Sequence, residues 1–111
     1  MERDVNAGDN SWQSSFTETS VTSRQGFTTR QFELVIRNRA SSPQKFKATI
    51  RYVGDNRLEL RTKSTSEIVI PPYEETKVED KVAMPDRVSA RVKDILAEVE
   101  VVPWEEEGED E

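Results

Sequence analysis

Histidine and cysteine are both missing from the 111 residues. Chemistry would therefore fall to serines, carboxylates and cations. Ser14, Ser15 and Ser42 are nucleophiles by type, but no imidazole is available to take their protons and no Ser-Lys motif surrounds them. Glu74-Glu75 and Glu79-Asp80 are paired carboxylates of the kind that can divide acid and base work. Neighbours on a strand point to opposite faces, so neither pair converges on one substrate atom. Without histidine or thiolate, the commonest general base and the softer metal ligands are gone, and so are disulfides. The four glycines are scattered singly, which gives no phosphate-cradling loop. The carboxylates near the C-terminus form no EF-hand-like ligand loop. We read a chain with no catalytic residues, no cofactor and no metal site.

Two constellations point to binding instead. Residues 30–63 hold nine basic and three acidic side chains, whereas residues 64–111 hold five and fifteen. Arg37, Lys45, Lys47, Arg51 and Arg61 fall on the expected wet side of alternating runs. Together they would make one anion-binding patch for a nucleic-acid backbone, an acidic protein or a lipid headgroup. The plainer account is a solvated sheet face whose cations keep it soluble. Stacking aromatics are missing from that face, which argues against a single-strand nucleic-acid platform. The second constellation is Trp104 followed by Glu105, Glu106 and Glu107. An aromatic flanked by acids suits a basic, partly apolar groove on a partner, or could fold back onto the chain's own cations. The plainer account is a solvated acidic end.

The elements that must position these residues are strands. In QFELVIRN, Phe32, Leu34 and Ile36 share one side. In QKFKATIRYV, Phe46, Ala48, Ile50 and Tyr52 do, with Lys45, Lys47, Thr49 and Arg51 opposite. A period of two is that of a half-buried strand. Turn formers fill Asn38 to Gln44, and Gly54 and Asn56 suit positive φ in the next turn. Leu58 and Leu60 should then resume the inward row. These three runs read as one antiparallel meander. Trp12 to Thr22 reads as an edge strand, Ser23 to Thr29 as a loop, and Phe27 as a plug at the end of the core. Glu67 to Ile70 is a short strand stopped by Pro71-Pro72. In Lys77 to Met84 the inward pair Val78 and Val82 requires a polar inward residue or a bulge between them. Pro85 to Val102 fits either a helical turn or a strand at first, then a last strand from about Leu96.

About seven short strands in 111 residues predict one all-β domain, an antiparallel immunoglobulin-like β-sandwich. Its expected bounds are residues 12–102, with a flexible polar segment at 1–11 and an acidic tail at 103–111. The N-terminus has no apolar signal-peptide core, and no run approaches the ~18 apolar residues of a membrane span. The compartment is expected to be the cytoplasm by default, with secretion left open should the chain be a mature form.

The series N-x-x-S-x-P-x-K-F-K-A-T-I-R-Y-V-G-D-N-R-L-E-L, then I-V-I-P-P-Y-E-E, then V-A-M-P-D-R-V, resembles small bacterial immunoglobulin-like modules of the FxLYD kind. Tyr52 matches their strand-ending aromatic. Val53-Gly54-Asp55 stands where Tyr-Asp-x-x-Gly is expected, and the family's eponymous phenylalanine has no counterpart. The resemblance spans about residues 32–101 and implies an accessory binding or structural module without catalytic residues. The function expected is therefore a protein-interaction or structural subunit of a larger assembly, with self-association through edge strands as a further route. The alternative is a polyanion or nucleic-acid binder that uses the basic face and is regulated by the tail.

Overall fold

In the computed structural model, which describes residues 2–4 and 11–104, the alternating runs pair into two antiparallel sheets packed face to face. The first sheet has the order β1-β2-β3-β7, formed by β1 (Glu2–Asp4), β2 (Trp12–Arg24), β3 (Phe27–Asn38) and β7 (Glu75–Pro85). The second is built on β4 (Gln44–Val53). β5 (Glu59–Ser64) and β6 (Ile68–Ile70) share one edge of β4, and β8 (Asp94–Val102) takes the other. A four-residue helix, α1 (Asp86–Ser89), lies between β7 and β8. Sequential strands thus sit as A-B-E in one sheet and C′-C-F in the other, the immunoglobulin-like arrangement. Among the described residues no strand takes the G position beyond β8.

Alternation decides what lies between the sheets. Phe32, Leu34 and Ile36 from β3 and Phe46, Ala48, Ile50 and Tyr52 from β4 are essentially inaccessible. Trp12 meets Phe46 edge-on, with ring centroids 6.0 Å apart, and Phe16 meets Phe32 at 5.5 Å. Such pairs add to the area they bury.

The meander is corrected. β3 and β4 belong to different sheets, and the chain crosses between them at Asn38. This side chain is fully buried. Its amide nitrogen donates to the carbonyls of Ser42 and Ile70, both at 2.9 Å, and its oxygen accepts from the backbone of Ala40. Asn38 holds the corner and also pins β6. The expected loop Ser23–Thr29 is a two-residue turn, with φ of 55° at Gln25 and 86° at Gly26. Paired positive angles match the twist of a hairpin, so β2 and β3 run on to Arg24 and Phe27. Phe27 is therefore no plug: it stands at the hairpin tip, 55% exposed. Glu2–Asp4, expected in a flexible segment, pair with Ser15–Thr17; residues 1 and 5–10 lie outside the described residues.

Leu58 is exposed as well, because a 3-10 turn over Asp55–Arg57 delays β5. Positive φ falls on Asn56 and Arg57, not on Gly54. Glycine is required at 54 by a close approach: an added Cβ would sit 2.9 Å from the carbonyl oxygen of Arg91. In β7 the polar inward residue is Asp80, and the ladder to β3 runs without a bulge. Residues 85–102 become a helical turn followed by a strand that begins at Asp94.

Strand directions give the sandwich two ends. The upper end carries the turns at 25–26, 54–58 and 86–93, and the lower end carries those at 39–43 and 71–74 together with Trp104. Residues 65–67 link β5 to β6 beside the middle of β4.

Candidate interaction surfaces

The five cations expected in one patch are dispersed. Arg37 lies on the outer face of the first sheet, where it pairs with Glu75 at 3.2 Å. Lys45, Lys47 and Arg51 share the outer face of the second sheet. Arg61 does not join them. The register of β5 against β4 slips between Tyr52 and Val53, so Arg61 falls opposite Tyr52 on the inward row, at the rim. The two sheets and one register slip separate residues that looked contiguous along the chain.

The remaining trio is largely neutralised. Lys45 pairs with Glu67 at 3.5 Å, and Arg51 pairs with Glu59 at 2.9 Å and Glu98 at 3.2 Å. Lys47 faces Glu100 across the ladder. The hydrogen bonds from Arg51 to Glu59 and then Glu98 raise the guanidinium pKa, while Thr62 and then Arg51 hold the Glu59 carboxyl below its ordinary value. Four carboxylates stand among three cations. Such exposed pairs contribute little stability, but they leave no net positive face.

Trp104 stacks on this face at its lower margin. Its ring lies 4.9 Å from the Lys45 ammonium, and its Nε1–H donates to the Pro43 carbonyl at 3.3 Å. Half of its surface remains exposed. Beside Lys45 in the ladder stand Val69, which is 53% exposed, and Val102. The lower margin is thus a small apolar strip with one cation in it. Glu105, Glu106 and Glu107, named with Trp104 as a docking segment, lie outside the described residues.

The sheet edges differ in their defences. On β7, Asp80 points inward and its carboxylate meets the Lys63 ammonium at 3.5 Å across the sandwich. Glu75, Lys77, Glu79 and Lys81 are its other charged groups. An inward charge on an edge discourages further strand pairing. The edge of β8 is different. All nine of its residues pair with β4 on one side, and no described strand pairs on the other. Its inward row begins with buried Ile95 and Ala97, then opens through half-buried Val99 to Val101, which is 40% exposed. The apolar row runs out of cover where a further strand would lie.

Between the sheets the upper half holds a polar group that no sequence-based expectation included. Arg30 and Glu18 both point inward and pair at 3.0 Å with little exposure. Arg30 also donates to the Ser89 hydroxyl and carbonyl, and its guanidinium lies 5.9 Å from the centre of the Tyr52 ring. The Tyr52 hydroxyl has no hydrogen-bond partner in the structure. Burial first, and the Glu18 charge second, push its pKa up to about 12, with Arg30 opposing. The sequence signal was present: Glu18 and Arg30 fall on inward rows.

Among the described residues no cluster of three metal-ligating side chains forms, and no helix is long and apolar enough to cross a membrane. No known family pattern matches the chain, so the FxLYD-like resemblance stands only as far as a small β-sandwich module. No curated protein matches it either. A crystal structure described as a DUF1425 family member from Shewanella sp. pv-4 is similar with a TM-score of 0.49 at 11% identity, covering 94% of this chain and 92% of that one.

Proposed function

We propose that this chain is a non-catalytic interaction module, an accessory subunit that receives an extended segment of a protein partner along the outer edge of β8. The observation that carries this reading is the undefended β8 edge, whose inward row is apolar and increasingly open. Strand addition at such an edge draws affinity from main-chain hydrogen bonds and specificity from alternate side chains. The partner's chemistry follows from the outward row, where Glu98 and Glu100 stand between Leu96 and Val102. A strand alternating basic and apolar residues complements both rows. A second copy of β8 does so poorly. Antiparallel self-pairing in full register sets Glu98 against Glu98, and an offset of two residues sets Glu98 against Glu100. Like charges opposite each other destabilise a ladder.

The non-enzymatic part is supported by residue types: no imidazole or thiol exists in the chain, and Asp80 is held by Lys63 on the opposite face from Glu79. The alternative, polyanion binding through a basic sheet face, gains no support from a face on which carboxylates match cations.

A photo-crosslinking residue at Glu100 on β8, compared in source cells with one at Lys81 on β7, tests the proposal. A discrete protein adduct should form from position 100 and not from 81. It should disappear when Val101→Lys places a charge on the inward row. Equal adducts from both edges, or an adduct that survives Val101→Lys, would reject strand addition at β8.

A further inference from the structure

The cations missing from the sheet face have gathered elsewhere. Arg24 borders the β2–β3 turn, Arg57 lies in the 54–58 turn, and Arg87, Arg91 and Lys93 lie in the segment after β7. All five are exposed, and none forms an ion pair with a described residue. Residues distant in sequence are tied here into one surface. The backbone N–H of Asp86 donates to the Gly26 carbonyl at 3.0 Å, and the Thr28 hydroxyl donates to the Asp86 carboxylate at 2.6 Å. Lys93 N–H donates to the Val53 carbonyl at 2.7 Å, and the Arg91 carbonyl sits against Gly54. The segment 86–93 therefore bridges the hairpin tip and the 54–58 turn.

Across 24–27, 54–58 and 86–93 there are five cations and two carboxylates, Asp55 and Asp86, a net of +3. The lower turns 39–43 and 71–74 hold one cation, Arg39, and one carboxylate, Glu74. Residues 105–111, which follow from that lower end, add six acids in sequence. The chain is acidic as a whole, yet it presents a positive end. Two large apolar side chains stand in the same turns: Phe27 is 55% exposed at the hairpin tip, and Leu58 is 52% exposed.

We propose that this upper end docks on an anionic lipid bilayer, with Phe27 and Leu58 entering the headgroup boundary and the five cations facing lipid phosphates. The combination decides the class of partner. Cations alone would suit nucleic acid equally well. Apolar side chains at protruding turns gain nothing from a duplex backbone but are stabilised at a membrane interface. Cations near such a surface each contribute on the order of a fivefold gain in partitioning, lost as salt screens the attraction. The proposal stands independently of strand addition at β8, and binding there would leave this end free.

Co-sedimentation of the full chain with phosphatidylcholine vesicles, with and without phosphatidylglycerol, is the test. Binding should require the anionic lipid and weaken as salt is raised. Arg87→Glu with Arg91→Glu should lower partitioning at least roughly tenfold, whereas Lys47→Glu on the sheet face should leave it unchanged. A Phe27→Trp chain should shift its emission to the blue on binding, and Phe27→Ser should weaken binding at every salt concentration. Circular dichroism confirms that these surface variants fold. Absent binding, equal binding to neutral vesicles, or indifference to the double reversal would overturn the proposal. So would tighter, reversal-sensitive binding to duplex DNA at the same salt.

Discussion

The two halves of the interior are built differently. In the lower half, Trp12, Ile36, Phe46 and Ile70 meet with two small polar side chains among them and no charge: Asn38, whose amide is fully used at the corner, and Ser14, whose buried hydroxyl has no partner. In the upper half, Glu18, Arg30 and Asp80 bring charge between the sheets, beside the unpartnered Tyr52 hydroxyl. Apolar packing near the lower turns supplies cohesion, while the upper half trades some of it for ion pairs beneath the cationic turns. Stability and the most strongly charged surface are therefore separated along the strands. The same interior space holds two different physical arrangements.

The strongest test of that contrast is Phe46→Ala. Phe46 is wholly buried, meets Trp12 edge-on, and lies between Ile68 and Val101 in the ladder. Removing it should cost about 3–5 kcal/mol, a large share of the roughly 5–15 kcal/mol that holds a domain together. Urea unfolding should show the midpoint falling with little change in slope. A loss below about 1 kcal/mol would mean that the lower half does not supply the cohesion assigned to it.

Tyr52→Phe probes the upper half, and its effect depends on pH. At neutral pH the hydroxyl is protonated and unpaired, so deleting it should be nearly neutral or slightly stabilising. In the folded state its pKa stands at about 12, above the ordinary value near 10. The unfolded chain thus releases the proton first as pH rises. Wild-type stability should hold below pH ~10 and then fall through about pH 12, by roughly 2–3 kcal/mol in all. Thermal melts of both chains across this range should diverge in that window alone. Parallel curves would show that the hydroxyl reaches water or a partner.

The contrast was partly legible in the sequence. Period two placed Phe32, Leu34, Ile36, Phe46, Ile50 and Tyr52 inside, because strand geometry fixes sides locally. The same rule required a polar inward residue or a bulge in β7, and Asp80 is the polar residue, with no bulge in the ladder. Which sheet a strand joins is a long-range matter. Asn38 turns the chain through contacts with Ile70, 32 residues away, and no local pattern announces that. Arg37 and Arg61 consequently looked like neighbours of Lys47 and are not. The cationic end was hidden for the same reason: Arg24, Arg57 and Arg91 become neighbours only when three turns meet.

The smallest effect expected lies just outside the cohesive half. Trp104 and Phe46 flank Lys45 from opposite sides of the second sheet, one on the surface and one in the core. Trp104 keeps about half its area in water, and its contacts are one hydrogen bond at 3.3 Å and the Lys45 ammonium. An exposed cation–π contact is worth roughly 0.5–1 kcal/mol. Trp104→Ala should therefore lower stability by less than about 1 kcal/mol, several-fold below the Phe46 loss. Emission offers a second readout, because the remaining Trp12 is buried and should fluoresce further to the blue than the wild type. A cost near that of Phe46→Ala would show that the indole belongs to the core and that the lower half extends through the sheet to its outer face.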